Sequence, residues 1–262
     1  MEVPAVLRAG LPDRVLLLDG HGGDELLSAI TVIEGLQPGS RVVAAGLPIV
    51  VEGETGLALD PEHAQTAPYD SPWTVRTTWP DPPEPTLRPD ELLKVHGIWD
   101  GSGIAVSRVT VTREEPKPLQ QRASAGRPIE PSRYAILRKA LDALTAADLL
   151  AAAHTTPGSD LVGDLCVFDA PTAQRVLRAE GIPITQFRIV RCQWTRTELG
   201  TARGLYAHVP DELLSAFGEA VTEQVQPQVL LEVKLVTPDL ARAVSDLPTG
   251  LVKVTPYIRP DA

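Results

Sequence analysis

The sequence predicts an α+β fold, in which segments with strand and helix periodicity follow one another along the chain. Short apolar or alternating runs bounded by glycine or proline indicate strands, and residues 41–51 are an example. Apolar residues spaced three and four positions apart indicate helices, as in the stretch that begins at Ser132. With 262 residues, of which 43% are hydrophobic, the chain is long enough to bury one large or two modest cores.

The first predicted domain, residues 1–115, opens with a strand, a glycine-rich turn and a helix. Residues 15–18 are apolar, residues 19–23 form the turn DGHGG, and Asp24 caps the helix that follows. Residues 41–51 predict a second strand, bent by its internal glycine and proline. The opening is therefore β-α-β, and a right-handed parallel crossover is expected if the two strands share a sheet.

The rest of this domain is predicted to contain a proline-rich excursion and a β-hairpin. The stretch 79–89 has five prolines, which do not fit helix or sheet interiors and indicate a surface segment or polyproline II. A short strand is predicted at residues 74–78. Residues 92–99 and 104–112 are both strand-like, and the sequence DGSG between them predicts a hairpin turn.

The second predicted domain, residues 132–262, follows a linker at residues 116–131 that is rich in proline, glycine and serine. A pair of helices comes first, at residues 132–144 and about 145–153. The next elements have the order β-α-β-β-α-β, which is that of a ferredoxin-like unit. They are predicted at residues 165–168, 171–180, 184–195, 204–209, 210–223 and 229–236, with an extra helix at 239–245 and an extra strand at 251–258.

Composition limits the possible partners. The formal net charge is −10, and most of the acidity lies before residue 130, which disfavours DNA and anionic membranes as partners.

No apolar run approaches the ~20 residues of a membrane span, and no signal peptide is visible, so we expect a cytoplasmic protein. Cys166 and Cys192 are too few for a disulfide framework and are expected to be buried free thiols. No cofactor is expected.

The DGHGG turn resembles the signature of the 2C-type metal-dependent Ser/Thr phosphatases. In that family the aspartate bridges two metal ions and the histidine is a general acid, so the resemblance implies catalytic roles for Asp19 and His21. Asp19 and Asp24 would then be the metal ligands of this turn. A two-metal site needs several further carboxylates. The family's Asp-Asn and Ser-Asp-Gly motifs are absent, and the chain contains no asparagine.

The same turn also resembles the first motif of the calcineurin-like metallophosphoesterases, in which Asp-x-His-Gly joins a strand to a helix. The later Gly-Asn-His and Gly-His-x-His motifs of that family are absent. We therefore interpret Asp19 and His21 as residues of a tight strand-to-helix turn, with Asp24 as the N-cap. Whether the chain is an enzyme is left open at this stage.

A group of arginines around one tryptophan is the predicted binding surface of the second domain. Arg and Trp are the side chains most enriched among binding hot spots, and Arg pairs bidentately with carboxylate or phosphate. Strand alternation would place four residues of this stretch, Arg188, Cys192, Trp194 and Arg196, on one face. The sequence RGLYAHV faintly resembles the sheet motif of RNA-recognition domains, which stack bases on aromatic side chains. The predicted surface consists of Arg188, Arg191, Trp194, Arg196 and Arg203.

From these observations we favour a partner- or ligand-binding accessory protein without a complete catalytic site, and a protein is the expected partner. Two alternatives remain. One is a metal-dependent phosphoesterase or phosphatase that uses the DGHGG turn, and the other is an RNA-binding ferredoxin-like module.

Overall fold

The computed structural model describes residues 15–17, 35–51, 53–59, 72–79, 91–113, 130–155, 159–222 and 224–261. The DGHGG turn and its predicted helix lie outside these residues, as do the proline-rich segment after Trp79 and nearly all of the predicted linker. The hypotheses about Asp19, His21 and Asp24 therefore stay hypotheses.

The described residues combine strands and helices, which confirms the predicted α+β class. The strands are β1 (Val15–Leu17), β2 (Arg41–Val51), β3 (Glu54–Ala58), β4 (Thr74–Thr78), β5 (Glu91–Trp99), β6 (Gly103–Arg113), β7 (Leu150–His154), β8 (Gly163–Val167), β9 (Phe187–Arg191), β10 (Leu214–Val221), β11 (Pro227–Leu235) and β12 (Val252–Pro260). The helices are α1 (Pro131–Ala146), α2 (Ala170–Ala179), α3 (Arg196–Gly204) and α4 (Pro238–Ser245), with short 3-10 turns at Ile184–Gln186 and Leu205–His208. Within the described chain, no helix has the length and apolarity that a membrane crossing requires.

Five strands of the first half close into a small barrel. β2 pairs with β5 along its first half and with β3 along its second half. β3 pairs with β4, β4 runs parallel to β6, and β6 returns to β5, so that the pairings form a ring. A five-stranded Greek-key barrel of this kind is the architecture of the OB-fold. Its interior is apolar, with Val42, Leu57, Val75, Leu93, Val95 and Ile104 among the buried residues.

β2 changes partner from β5 to β3 after Gly46. A Cβ atom at this position would lie 2.1 Å from the carbonyl oxygen of Ala58, so only glycine fits. The strand predicted at residues 74–78 and the hairpin of β5 and β6 are confirmed, and the bend predicted in β2 stays a prediction. β3 was not predicted, because its sequence ETGLA follows a glycine turn in a stretch of loop-like composition.

The barrel is continued by four further strands into one nine-stranded mixed sheet. β12 pairs antiparallel with β2, β11 lies parallel to β12, β10 is antiparallel to β11, and β1 is parallel to β10. β11 is buried along almost its whole length, which is typical of a strand covered on both faces. β1 and β2 thus share a sheet but are separated by three strands, and the predicted β-α-β opening is not confirmed, because its helix lies outside the described residues.

A second, three-stranded sheet has the order β7-β8-β9, with α2 connecting the parallel strands β8 and β9. One face of this sheet packs on α1 and α2, where Leu144, Leu165 and Leu177 are fully buried. The other face contributes Cys166 to an apolar cluster with Phe217 of β10. The small sheet therefore lies between the helix pair and the large sheet.

The ferredoxin-like layout is not confirmed, and two of its predicted elements are wrong, as is the second helix predicted before it. Residues 204–209, predicted as a strand, end α3 and form a 3-10 turn, and residues 210–223, predicted as a helix, contain β10. Of the helix predicted at about 145–153, residues 145–146 belong to the end of α1 and residues 150–153 lie in β7. As a result, β8 and β9 lie in the small sheet while β10, β11 and β12 lie in the large one.

Strand pairing crosses the predicted domain boundary. β12 joins β2, and β10 joins β1, so the large sheet contains strands from both sides of the predicted linker at residues 116–131. The division of the chain at that linker stays a prediction.

Candidate functional site

The carboxyl ends of β8 and β9 form one edge of the small sheet, and most of the predicted binding residues lie near it. β8 leads through Asp169 into α2, and β9 leads through Cys192–Thr195 into α3. Because β8 and β9 are parallel, both helices begin at this edge. In open α/β sheets, ligands bind at the carboxyl ends of the strands.

Carboxylates already occupy both helix N-termini at this edge. Asp169 accepts hydrogen bonds from the backbone N–H and the hydroxyl of Thr172, at 3.0 and 2.9 Å. These bonds, helped by the charges of neighbouring arginines, lower the pKa of Asp169. In the capping box of α3, Thr195 Oγ1 accepts from the N–H of Glu198, while Glu198 Oε2 accepts from the N–H of Thr195 at 2.7 Å. The arginines therefore supply the positive charge available to a ligand here.

Trp194 is half-buried and fixed in place. Its indole Nε1 donates a hydrogen bond to the carbonyl oxygen of Pro227 at 3.0 Å, and its ring packs against the apolar cluster under β10 and β11. An anchored aromatic side chain that keeps part of its surface exposed loses little conformational freedom on binding.

Arg196 is held beside Trp194 but remains half-exposed. Its Nε lies 3.2 Å from Asp148 Oδ2, and a further N–H donates to the backbone carbonyl of Asp148. The guanidinium carbon lies 4.7 Å from the ring centroid of Phe168, a cation–π geometry. Since 51% of the Arg196 side chain is exposed, the guanidinium can donate hydrogen bonds to a second carboxylate.

Arg191 ends β9 and is exposed. Its charge is one of the causes that lower the pKa of Asp169, after the hydrogen bonds from Thr172. Within the described part of the chain, no carboxylate lies within ion-pair distance of its guanidinium. Arg191 is thus the arginine of this edge whose guanidinium is least engaged in ion pairs within the described chain.

Arg188 and Arg203 serve internal contacts instead. Arg188 binds the buried Asp164 bidentately at 2.9 and 2.8 Å, near the opposite end of β8. Arg203 binds Glu219 bidentately at 2.7 and 3.0 Å and donates to the carbonyl oxygen of Ala151. The guanidinium groups of both arginines therefore hold strands together.

The predicted common face is therefore wrong. β9 ends at Arg191, so the strand alternation that would align Trp194 and Arg196 with Arg188 does not continue, and Arg196 instead begins α3. Arg188 and Arg191 lie three residues apart on β9 and point to opposite faces of the sheet. Residues 191–196, here called the β9–α3 segment, are mostly exposed, with Trp194 half-buried and Cys192 buried among them.

The side chain of Gln226 holds the backbone of this segment through two hydrogen bonds, and this role was not predicted from the sequence. Its side-chain Oε1 accepts from the N–H of Gln193 at 2.9 Å, and its Nε2 donates to the carbonyl oxygen of Arg191 at 3.2 Å. Gln226 lies in the turn between β10 and β11. A single glutamine in a turn gives no sequence signal, so its role depends entirely on this tertiary contact.

A second feature is a cleft of about 470 Å³ between the barrel and the carboxyl end of β11. Apolar side chains form most of its wall, and charged and hydroxyl groups are spaced around them. The lining comprises Leu36, Pro38, Arg76, Trp99, Gly101, Ser102, Glu212, Leu213, Lys234, Leu235 and Thr237. The volume is in the range of small-molecule sites.

Asp19, His21 and Asp24 lie outside the described residues. Among the residues that the structure describes, no group of three or more His, Cys, Asp or Glu side chains is arranged to hold a metal ion.

Comparisons with known proteins found no match to this chain among protein-family models, curated proteins or solved structures.

Proposed function

We propose that this chain is a binding protein that recognises an acidic protein partner through the β9–α3 segment. The observation that carries the proposal is the pairing of an anchored, half-exposed Trp194 with two arginines, Arg191 and Arg196, whose guanidinium groups remain accessible. Interface hot spots typically combine such aromatic and arginine side chains.

The local charge of the β9–α3 segment favours an acidic partner. The chain as a whole carries −10 and repels acidic proteins at long range, so the attraction has to come from the exposed Arg191 and Arg196. Arg191 and Arg196 can each present a planar pair of N–H donors to a carboxylate. The contact at this segment would then fix the orientation of the partner as well as contribute to the affinity for it.

The experiment compares proteins captured by the immobilised wild-type chain with those captured by an Arg191→Glu/Arg196→Glu variant. An Arg242→Glu variant is the matched control, because Arg242 is 73% exposed and, among the residues that the structure describes, forms an ion pair only with Asp239 on α4. We expect acidic proteins that bind wild type and the control equally and lose at least about tenfold in affinity to the double variant. Identical capture by all three forms would refute the proposal. Far-UV circular dichroism checks that each variant is folded.

The cleft supports a second candidate function, the binding of a small molecule with an apolar body and an anionic group. Arg76 of β4 and Ser102 of the β5–β6 turn line this cleft, and OB-fold barrels bind ligands at the corresponding strand and turn. This argument is an analogy of fold. Arg76 and Lys234 would face the anionic group, with apolar residues such as Trp99 around the rest of the molecule.

The fluorescent anion 1-anilinonaphthalene-8-sulfonate is a suitable probe of the cleft. We expect saturable binding to the wild-type chain and at least tenfold weaker binding to a Ser102→Trp variant, whose larger side chain fills part of the cleft. The turn residue is exposed, so the substitution leaves the barrel core intact. Equal binding by the two proteins would exclude the cleft as the site.

A further inference from the structure

β9 lies at an edge of the small sheet, since the strand order is β7-β8-β9. Along such a strand the backbone groups point alternately to the neighbouring strand and away from it. The N–H of Cys192, directly after β9, donates to the last residue of β8 at 2.8 Å and therefore points to β8. By alternation, the backbone groups of Phe187, Ile189 and Arg191 point away. The carbonyl oxygen of Arg191 agrees with this assignment, because it accepts from the side chain of Gln226, outside the small sheet.

The two ends of this edge already have hydrogen-bond partners, whereas its centre has none in the described chain. At the start, the N–H of Phe187 donates to the carbonyl oxygen of Ile184. At the end, the carbonyl oxygen of Arg191 is held by Gln226 at 3.2 Å. Between them lie the C=O of Phe187, both backbone groups of Ile189 and the N–H of Arg191, and no other described residue bonds to these groups. An edge of this kind is a template for an added strand.

The side chains of β9 decide which strand can be added. The sequence FRIVR has two arginines and no carboxylate. Pairing with the same edge of a second copy would bring these arginines together, and like charges across a strand pair are destabilising. A strand with carboxylates is favoured instead, because Arg191 is exposed and the Arg188 side chain is 51% exposed beside Asp164. Ile189 and Val190, between the arginines, are half-buried and offer apolar contact.

We propose that an extended acidic segment of a partner protein adds to β9 as a further, antiparallel strand of the small sheet. The proposal rests on the proposed function, because it describes the form in which the acidic partner binds beside the β9–α3 segment. Ile189 presents both its N–H and its C=O, so the peptide residue opposite it forms the two-bond pair of an antiparallel ladder. The peptide positions that precede and follow this residue then lie opposite Val190 and Arg188.

The register defines a sequence pattern for the partner. Read from the amino to the carboxyl end, the peptide places successive residues opposite Arg191, Val190, Ile189 and Arg188. Carboxylates fit the first and last of these positions, and apolar side chains fit the two between them. The expected pattern is therefore acid, apolar, apolar, acid, in a segment that favours an extended backbone.

The probe is a synthetic peptide, TEVIET with blocked termini and a fluorescent label, whose binding to the full chain is measured by anisotropy. We expect saturable binding, at least tenfold weaker when both acids are replaced by lysine. N-methylation of the peptide isoleucine removes an N–H that faces Ile189 and is expected to weaken binding at least tenfold. N-methylation of the peptide valine, whose N–H points away from β9, is the matched control and should change affinity less than about twofold. No saturable binding up to about 1 mM, or equal effects of the two methyl groups, would overturn the proposal.

Amide hydrogen exchange of the full chain, measured by NMR, locates the bound peptide. The N–H groups of Ile189 and Arg191 are expected to exchange at least tenfold more slowly in the complex, whereas the N–H of Val190, which faces β8, should change little. Unchanged exchange at Ile189 would overturn strand addition. It would leave the proposed function intact, because the capture experiment tests the side chains of Arg191 and Arg196 and not the backbone edge.

Sedimentation velocity of the full chain tests the other occupant of the edge. We expect a monomer whose sedimentation the peptide leaves unchanged apart from its added mass. A dimer that the peptide dissociates would assign the edge to a second copy of the chain and overturn the choice of partner.

Discussion

Replacing Arg188 by methionine tests how far one ion pair holds the small sheet together. The Asp164 side chain is 5% exposed and the Arg188 side chain 51%, and two hydrogen bonds of 2.9 and 2.8 Å join them across β8 and β9. Removing one partner of a fully buried pair costs about 3–5 kcal/mol, because a charge is left without compensation. Water reaches the exposed half of Arg188, and Asp164 has a further contact, so we expect a loss of about 2–3 kcal/mol.

The assay is urea unfolding, in which a lower midpoint at an unchanged slope reports lost stability. Arg242→Met is the matched control, because the Arg242–Asp239 pair is 73% and 85% exposed and should contribute less than about 0.5 kcal/mol. An Asp164→Asn change in both backgrounds completes a double-mutant cycle, with an expected coupling of at least about 1 kcal/mol. The reasoning is refuted if Arg188→Met costs no more than the control.

Three further predictions follow from local geometry. Asp100→Ala is expected to cost about 1 kcal/mol, because Asp100 Oδ1 accepts two backbone N–H bonds at 2.8 and 2.7 Å that hold its pKa below the usual value. Since the folded pKa is depressed, this contribution is complete above about pH 4 and disappears as the pH falls through the folded value, which urea unfolding at several pH values would detect. Gly46→Ala should lower the melting temperature because its Cβ would meet the Ala58 carbonyl, whereas Gly200→Ala, with open space in α3, should raise it. Limited proteolysis should cut at residues 116–131, with the two fragments still co-eluting in native gel filtration because strand pairs of the large sheet join them.

Elements defined by local signals could be predicted from the sequence, and those that depend on distant partners could not. The turn at Asp100 and the apolar stripe of α1 lie within their own segments, so the β5–β6 hairpin and this helix were found. Pro210, Asp211 and Glu212 are typical of a helix start, so the sequence predicts a helix over residues 210–223, where the structure has β10. Its state is set instead by pairing with β11 and β1.

The candidate site shows the same limit. Arginine-rich composition around Trp194 predicts a binding stretch, and Arg191 and Arg196 of that stretch are exposed in the structure. It could not separate Arg188 and Arg203, which bind Asp164 and Glu219, from the arginines that stay accessible. That distinction depends on which carboxylates the two sheets bring close, and sequence spacing does not encode it.

The pairing of β1 with β10 has a consequence for how the chain is made. Val15 lies opposite Phe217, so the partner of the first described strand leaves the ribosome about 200 residues later. At roughly 5–20 residues per second, β1 waits roughly 10–40 s before it can pair. The small sheet needs only residues 150–191, together with α1 and α2, and can assemble while β10 is still being synthesised. The barrel strands β2 to β6 pair with one another and are made earlier still, so the nascent chain is expected to acquire protease resistance in the barrel and around β8, while β1 stays vulnerable to aggregation or cleavage until β10 has been made.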